Sequence, residues 1–167
     1  MTGWWAAAFA VQWVSVVVLS VIVVALARQV GTLHLRLGPR GALEIDTEGP
    51  QIGEAPPPRP AHTADGTSVM LGGPGTPRLV VFSSPTCGVC REIAPSVPAA
   101  AVSAGYSAQV LHDPDAEDDW NVPGTPFVVV LDERGVVAAK GTVNNLEQIE
   151  GLLDTADGRL AEERWAS

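Results

Sequence analysis

The pattern of apolar and polar positions first separates a long N-terminal apolar segment from the rest of the chain. Residues 3–27 contain no charged side chain, and their polar members are only Gln12, Ser15 and Ser20. At about 1.5 Å of rise per residue, a helix of this length spans the roughly 30 Å of bilayer hydrocarbon. The pattern predicts a membrane-spanning helix, and residues 1–28 are interpreted as an N-terminal transmembrane anchor.

The residues that flank this segment favour an anchor that stays on the protein. Trp4 and Trp5 stand at one end and Arg28 at the other, as expected where aromatic rings and a cation meet lipid headgroups. The alternative is a secretory signal peptide cleaved after residues 25–27. An uncleaved anchor is favoured because no Lys or Arg precedes the apolar run, which is also longer than an ordinary signal-peptide core.

The basic residues near the segment all lie on its C-terminal side. They are Arg28, Arg36 and Arg40, and no basic residue precedes the segment. The positive-inside rule taken alone would therefore put the rest of the chain in the cytoplasm. Long domains are translocated largely regardless of charge, so the rule does not decide the side by itself.

Composition divides the remaining chain once more. Apolar positions between residues 30 and 37 extend the helix by a turn or two before Gly38-Pro39 stops it. Residues 48–66 are rich in Pro, Gly and charge and lack a long apolar run, which predicts an extended spacer. The predicted organisation is a juxtamembrane segment and linker over 29–65 and a folded domain over 66–167.

Within the folded part, short apolar runs alternate with helical patterns. Continuous or alternating apolar residues predict strands at 67–73, 78–84, 108–113, 126–132 and 136–143. Helical spacing predicts a helix at 88–104, with a kink or break at Pro95 and Pro98, and another at 145–165. The acidic segment predicts a short helix or turn, and residues 133–135 a hairpin turn. This order predicts an α/β sandwich with one βαβ unit and a terminal hairpin.

The net charge argues against nucleic acid as a partner. The net charge is −9, and because four arginines balance four acidic residues up to Pro60, the excess lies in the C-terminal part. Nucleic-acid binding needs clustered cations, so no nucleic-acid partner is expected. The densest acidic run is Asp113–Trp120. It is interpreted as a solvated face, with a docking surface for a basic partner as the alternative.

The only two cysteines carry the candidate chemistry. Cys87 and Cys90 follow a predicted buried strand and stand at the start of a predicted helix. Unpaired N–H groups and the macrodipole at a helix N-terminus favour an anion, and a redox cysteine reacts as the thiolate. Two intervening residues allow a disulfide to close within one helical turn, so Cys90 can resolve a mixed disulfide on Cys87.

The two cysteines also fit uses other than disulfide exchange. A structural zinc site needs four ligands, and the further candidates are His34, His62 and His112, two of them in the juxtamembrane segment and linker. No metal or other cofactor is therefore expected. Delivery of Cu(I) by Cys87, Cys90 and His112 remains open, because Cu(I) accepts few soft ligands. A non-catalytic assembly scaffold is the other alternative.

A second motif is "VPGTPF", residues 122–127. A proline at the start of a buried strand, preceded by a small polar residue, predicts a cis Thr125-Pro126 bond. Such a bend brings the backbone close to another site. Beside a strand–CxxC–helix unit, this prediction becomes strong.

Together these motifs resemble the thioredoxin superfamily over about residues 66–156. The likeness is to its membrane-anchored TlpA/ResA-like branch and, within that branch, to the MauD-type methylamine-utilisation proteins. Three stretches are similar to MauD-type sequence: "ALARQVGTLHLRLGPRGAL", "GPQIGEAPP" and "SPTCGVC". The resemblance implies a thioredoxin-like α/β sandwich preceded by one transmembrane helix.

The resemblance also implies a function. Members of the branch form, reduce or isomerise disulfides in extracytoplasmic client proteins, and MauD proteins support maturation of a disulfide-rich dehydrogenase subunit. By this resemblance Cys87 is the attacking thiol and Cys90 the resolving thiol of a redox disulfide. Pro126 is the cis-proline, and Thr125 presents backbone groups to a client in β-like pairing. The implied partners are client proteins with cysteines, a membrane or soluble thiol redox partner, and membrane lipid through the N-terminal helix.

Two positions depart from the thioredoxin pattern. Thioredoxins carry a buried Asp six residues before the first cysteine, where this chain has Val81. They also carry a Trp directly before that cysteine, where this chain has Thr86. Without the acid, the resolving thiol lacks the usual local proton acceptor.

Overall fold

The computed structural model describes residues 3–36 and 47–166, which belong to two compact units. The first unit is a single helix, α1 (Gly3–Arg36). Its part Gly3–Val24 has a mean hydropathy of 2.5 and is the one helix in the described residues that is long and apolar enough to cross a membrane. The helix continues past Arg28 as predicted, whereas the predicted stop at Gly38-Pro39 lies outside the described residues.

The second unit begins with strand pairing that the sequence did not predict. Strand β1 (Arg59–His62) pairs antiparallel with β2 (Ser68–Leu71), the first strand that the apolar pattern predicted. In this sheet Ala61 is fully buried. The Pro-rich stretch interpreted as an extended spacer therefore contains a strand of the folded unit.

The main sheet consists of four strands: β3 (Arg78–Phe82), β4 (Ser107–Leu111), β5 (Phe127–Leu131) and β6 (Val137–Thr142). Their order is β4-β3-β5-β6. β3 and β4 are parallel, while β5 is antiparallel to both β3 and β6. The parallel pair is the predicted βαβ unit and the β5–β6 pair the predicted hairpin, so the predicted α/β sandwich is confirmed.

The crossover between β3 and β4 is a broken helix, as the prolines predicted. It consists of α2 (Gly88–Ile93) and α3 (Val97–Ser103). Pro95 lies in the break, and Pro98 lies in the first turn of α3, where its missing N–H has no helical partner to lose. The first part of the crossover, α2, therefore begins directly after Cys87 and ends three residues after Cys90.

The predicted acidic helix is α4 (Pro114–Asp119), and the predicted C-terminal helix is α5 (Leu146–Ala166). Asp113 caps α4 by accepting the Ala116 N–H at 3.0 Å. Ala116 and Trp120 are buried, while most acidic side chains of α4 point to solvent. The run is therefore an amphipathic helix with a solvated acidic face.

Both faces of the main sheet are covered. β3 and β5 are buried along their whole length, as continuous apolar runs predict for central strands. One face packs under α3 and α5, with these buried residues: Leu79, Val81, Val97, Ala101, Val128, Val130, Ile149 and Leu153. The other face packs against the β1–β2 sheet and α4, with these: Ala61, Leu71, Val80, Phe82, Leu111, Trp120, Phe127 and Val129.

Residues 47–58, which we call the N-terminal strap, cross this second face. The Gly53 N–H donates to the Val137 carbonyl at 2.9 Å, and the Val137 N–H donates to the Glu54 carbonyl at 2.8 Å. Gly49 lies so close to Phe127 that an added Cβ would be 2.7 Å from the ring. The spacer prediction is thus wrong for this stretch, because backbone hydrogen bonds and prolines hold the strap without any apolar periodicity.

The hairpin turn gives a stability prediction. Gly135 has φ +79°, and a Cβ there would be 2.4 Å from the Gly73 carbonyl oxygen. Gly66 has φ +82°, but a Cβ there would meet nothing within 4 Å. We expect Gly66→Ala to lower the free energy of unfolding by about 1 kcal/mol through φ alone. Gly135→Ala should cost roughly 2 kcal/mol more, because the turn must also move.

Urea unfolding followed by circular dichroism measures both values. Equal midpoints for the two variants would show that the Gly73–Gly135 approach adds nothing to stability.

Candidate active site

Cys87 stands where a buried strand turns into a helix. It is the N-cap of α2, with extended backbone at φ −78° and ψ 114°. A turn joins it to β3, in which the Cys87 N–H donates to the Ser84 carbonyl at 3.1 Å. Cys87 Sγ accepts the backbone N–H of Cys90 at 3.0 Å. The sulfur thus receives a hydrogen bond from the helix N-terminus, the interaction that stabilises a thiolate there.

Cys87 and Cys90 form a disulfide across the first turn of α2, with their Cα atoms 5.3 Å apart. Cys90 is only 2% exposed, whereas Cys87 is half-buried. A reagent or another protein can therefore reach the Cys87 sulfur, while Cys90 is reached mainly through Cys87.

The segment Thr125-Pro126 lies against this disulfide. The predicted cis peptide bond is present. β5 begins directly after it and pairs antiparallel with β3, with Phe127 opposite Phe82. This register brings the Thr125 carbonyl oxygen to 3.7 Å from Cys87 Sγ. Cys90 and Thr125 are 35 residues apart in the sequence. The two motifs therefore meet at one end of the central strands, where β3 ends and β5 begins.

The segment that carries the two sulfur atoms is uncharged. No residue from Ser83 to Cys90 is ionisable except the two cysteines. Val81, at the position of the thioredoxin acid, is 2% exposed and packs in the apolar core. Thr86, at the position of the Trp, is exposed and its hydroxyl lies 3.0 Å from the Ser84 hydroxyl. Stabilisation of a thiolate by this segment therefore comes from the helix N-terminus.

The sequence did not predict a contact between the side chains of His112 and Ser83. His112 Nε2 lies 3.3 Å from Ser83 Oγ, and Ser83 is 4% exposed. From the sequence, His112 was considered only as a candidate zinc or copper ligand. A signal for the pair existed, because Ser83 and His112 each come directly after one of two parallel strands.

The copper alternative finds no support in this arrangement. Within residues 3–36 and 47–166, no group of three or more His, Cys, Asp or Glu side chains is arranged to hold a metal ion. Cys87, Cys90 and His112 are all described, and they do not form such a group.

Solved structures share this fold. A candidate thiol:disulfide interchange protein DsbE from Chlorobium tepidum superposes with a TM-score of 0.52 at 18% identity, covering 66% of this chain and 98% of that one. A candidate protein disulfide isomerase from Bacteroides thetaiotaomicron gives 0.51 at 19% identity, covering 70% and 94%. At these identities the likeness establishes the fold. With a strand–CxxC–helix dithiol opposite a cis-proline, it defines a thioredoxin-like thiol-disulfide oxidoreductase.

Curated relatives define the family more narrowly. Proteins named methylamine utilization protein MauD are 31% identical in Methylophilus methylotrophus, covering 86% of this chain and 80% of the relative. In Methylobacillus flagellatus the identity is 30%, over 86% and 82%. In Paracoccus denitrificans it is 29%, over 92% and 90%. No protein-family model matches the chain. The chain belongs to the MauD family, as the sequence resemblance predicted.

Proposed function

We propose that this chain is a membrane-anchored enzyme that forms, reduces or isomerises disulfides in client proteins outside the cytoplasm. The observation that carries the proposal is the position of Cys87 Sγ. Cys87 is half-buried, its Sγ accepts the Cys90 N–H at 3.0 Å, and the Thr125 carbonyl oxygen lies 3.7 Å from that sulfur. An accessible sulfur with its resolving partner one turn away is what disulfide exchange requires.

The proposed chemistry proceeds through a mixed disulfide. In the reducing direction, the Cys87 thiolate attacks a client disulfide, and one client sulfur leaves as a thiolate. The Cys90 thiolate then attacks Cys87 Sγ, which releases the second client thiolate and leaves the Cys87–Cys90 disulfide. The reverse sequence oxidises a client dithiol with the same disulfide. Burial of Cys90 supports this assignment, because the attacking thiol must be the one that a client reaches.

Thr125 and Pro126 are proposed to position the client. Pro126 is buried, whereas Thr125 is half-buried beside the reacting sulfur. Residues 122–125 are uncharged and partly or fully exposed, so an extended client segment can lie along them. Backbone groups of Thr125 would pair with this segment as a neighbouring strand does.

Partners follow from the redox cycle. The clients are proteins that contain cysteines, and each net oxidation or reduction of a client leaves the dithiol in the wrong redox state for the next turnover. A second thiol redox partner, in the membrane or soluble, is therefore required to restore it. The relatives carry the name methylamine utilization protein, which supports a client in that metabolism.

The anchor is proposed to be residues 1–28, of which residues 3–28 lie in α1. Ser15 and Ser20 are two of its few polar residues, and their hydroxyls donate to the Val11 and Val16 carbonyls at 2.9 and 2.8 Å. Polar hydrogens satisfied within the helix lower the cost of placing it in lipid. Disulfide exchange on client proteins favours an oxidising compartment, which supports an extracytoplasmic domain despite Arg28, Arg36 and Arg40.

Two measurements test the proposal. The purified full-length chain should exchange disulfides with oxidised and reduced glutathione and should accelerate disulfide formation or reduction in a model protein. A reporter fused after residue 167 and active only outside the cytoplasm should be active. Absence of exchange would refute the enzymatic proposal. If this reporter is inactive and a second reporter that fluoresces only in the cytoplasm is active, the domain lies on the cytoplasmic side and the proposed orientation is wrong.

A further inference from the structure

His112 and Ser83 form a side-chain pair at the sheet edge that carries the dithiol. They are the first residues after the parallel strands β4 and β3. The Ser83 N–H donates to the Leu111 carbonyl at 3.0 Å, and His112 Nε2 lies 3.3 Å from Ser83 Oγ. Ser83 is buried and is followed at once by the turn from Ser84 to Cys87. The imidazole therefore contacts Ser83, the residue directly before the turn that leads to Cys87.

The imidazole is also within electrostatic reach of the dithiol. β3 lies between β4 and β5, so the ends of β4 and β5 are two strand spacings apart, on the order of 10 Å. His112 follows β4, and Thr125 precedes β5 with its carbonyl 3.7 Å from Cys87 Sγ. A separation of about 10 Å is comparable with the screening length at 0.1 M salt. Because His112 and Cys87 are both half-buried, a charge on His112 is only partly screened at this range, and it can therefore act on the Cys87 sulfur.

We propose that His112 is a positioning residue for the dithiol, which holds Ser83 below the turn and, when protonated, stabilises the Cys87 thiolate. The inference rests on the proposed function only in taking Cys87 as the attacking thiol. It provides an imidazole near the site in a chain whose Val81 supplies no polar side chain.

The other charged groups around His112 are mainly acidic. Glu117 of α4 interacts with it, and burial followed by Asp118 and Asp113 raises the pKa of Glu117, while His112 opposes that increase. Asp113 accepts the N–H groups of Ala116 and His62, and these hydrogen bonds outweigh burial and keep its pKa below the usual range.

Beyond the dithiol, Arg91 and Glu92 are exposed and of opposite sign. With a neutral His112 the acids of α4 disfavour a thiolate, and a protonated His112 offsets them.

The test measures alkylation of Cys87 by iodoacetamide in the full-length Cys90→Ser chain, where it is the only thiol. The thiolate sulfur bonds to the methylene carbon as iodide leaves, so the rate follows the thiolate fraction. We expect His112→Gln to slow alkylation about threefold to tenfold at pH 6 and to have a smaller effect at pH 8.5, because a side chain at this position favours the thiolate only while it carries a positive charge. His112→Lys, which keeps a positive charge, should restore the pH 6 rate.

His62→Gln is the matched control. The His62 side chain pairs with Asp113, and His62 accepts the His112 N–H only through its backbone carbonyl, which the substitution retains, so both rates should stay within about twofold of the parent. A His112→Gln rate equal to the parent at pH 6, or reduced by the same factor at both pH values, overturns the proposal. Absence of catalysed exchange with client disulfides would instead overturn the proposed function, because the alkylation rates do not depend on it.

Discussion

Replacing Cys87 by Ser is expected to lower the rate of disulfide exchange by roughly 10³-fold or more, because it removes the accessible nucleophile. The hydroxyl occupies nearly the same volume at the N-cap and can accept the Cys90 N–H, so the fold should persist. The measurement is the rate of exchange with glutathione, compared with the parent chain and with an unfolding curve for each variant.

Cys90→Ser should behave differently from Cys87→Ser, which makes it the matched variant. The Cys87 thiolate can still attack, but nothing resolves the product, so the chain should accumulate as a mixed disulfide with its client. Identification of the trapped protein by mass spectrometry names the client. If Cys87→Ser and Cys90→Ser together support client maturation as well as the parent, the chain is a scaffold and the proposed chemistry fails.

Most of the main sheet could be predicted because its strands follow simple rules. β3 and β5 are continuous apolar runs buried on both sides, and the β5–β6 turn carries Gly135 at positive φ. Pro95 and Pro98 marked the break between α2 and α3. Local pattern and tertiary environment agree in these elements, so the pattern is informative.

The strap and β1 could not be predicted because their contacts leave no periodic signal. Strap backbone groups pair with Val137, and an added Cβ at Gly72 would lie 3.0 Å from the Pro56 carbonyl oxygen. Proline and glycine are typical of linkers, and the same residues suit a close backbone approach. Only the position of β6 and of the β2–β3 connection decides between these two uses.

The candidate site divides in the same way. Cys87, Cys90 and the cis-proline follow from local motifs at a strand end, and the structure brings them within contact distance. The Ser83–His112 pair depends on the register of two strands separated by a helical crossover. The sequence places both residues near the ends of predicted strands, but only the strand register shows that their side chains meet.

The strap leads to the second large prediction. A chain that begins at residue 66, the domain boundary that composition predicts, is expected not to fold cooperatively. It lacks β1 and uncovers Trp120 and Phe127, which are 5% and 1% exposed in the folded unit. Exposing a large apolar side chain costs about 1.5–3 kcal/mol. Two such side chains together with the lost β1–β2 pairing approach the roughly 5–15 kcal/mol that stabilises a small domain.

A chain that begins at residue 47 keeps the strap and should unfold cooperatively in urea. One that begins at 59 keeps β1 alone and should have intermediate stability. In these chains Trp165→Phe leaves Trp120 as the only tryptophan, so the fluorescence emission reports the burial of Trp120. The emission maximum should be red-shifted in the chain that begins at residue 66 and blue-shifted in the chain that begins at residue 47. Equal midpoints for all three chains would mean that residues 47–65 are dispensable, as a spacer is, and that their contacts with the sheet contribute nothing measurable. Since the strap binds β6 through Val137 and β1 adjoins β4 through Thr63 and Leu111, we expect the loss to appear at both edges of the sheet.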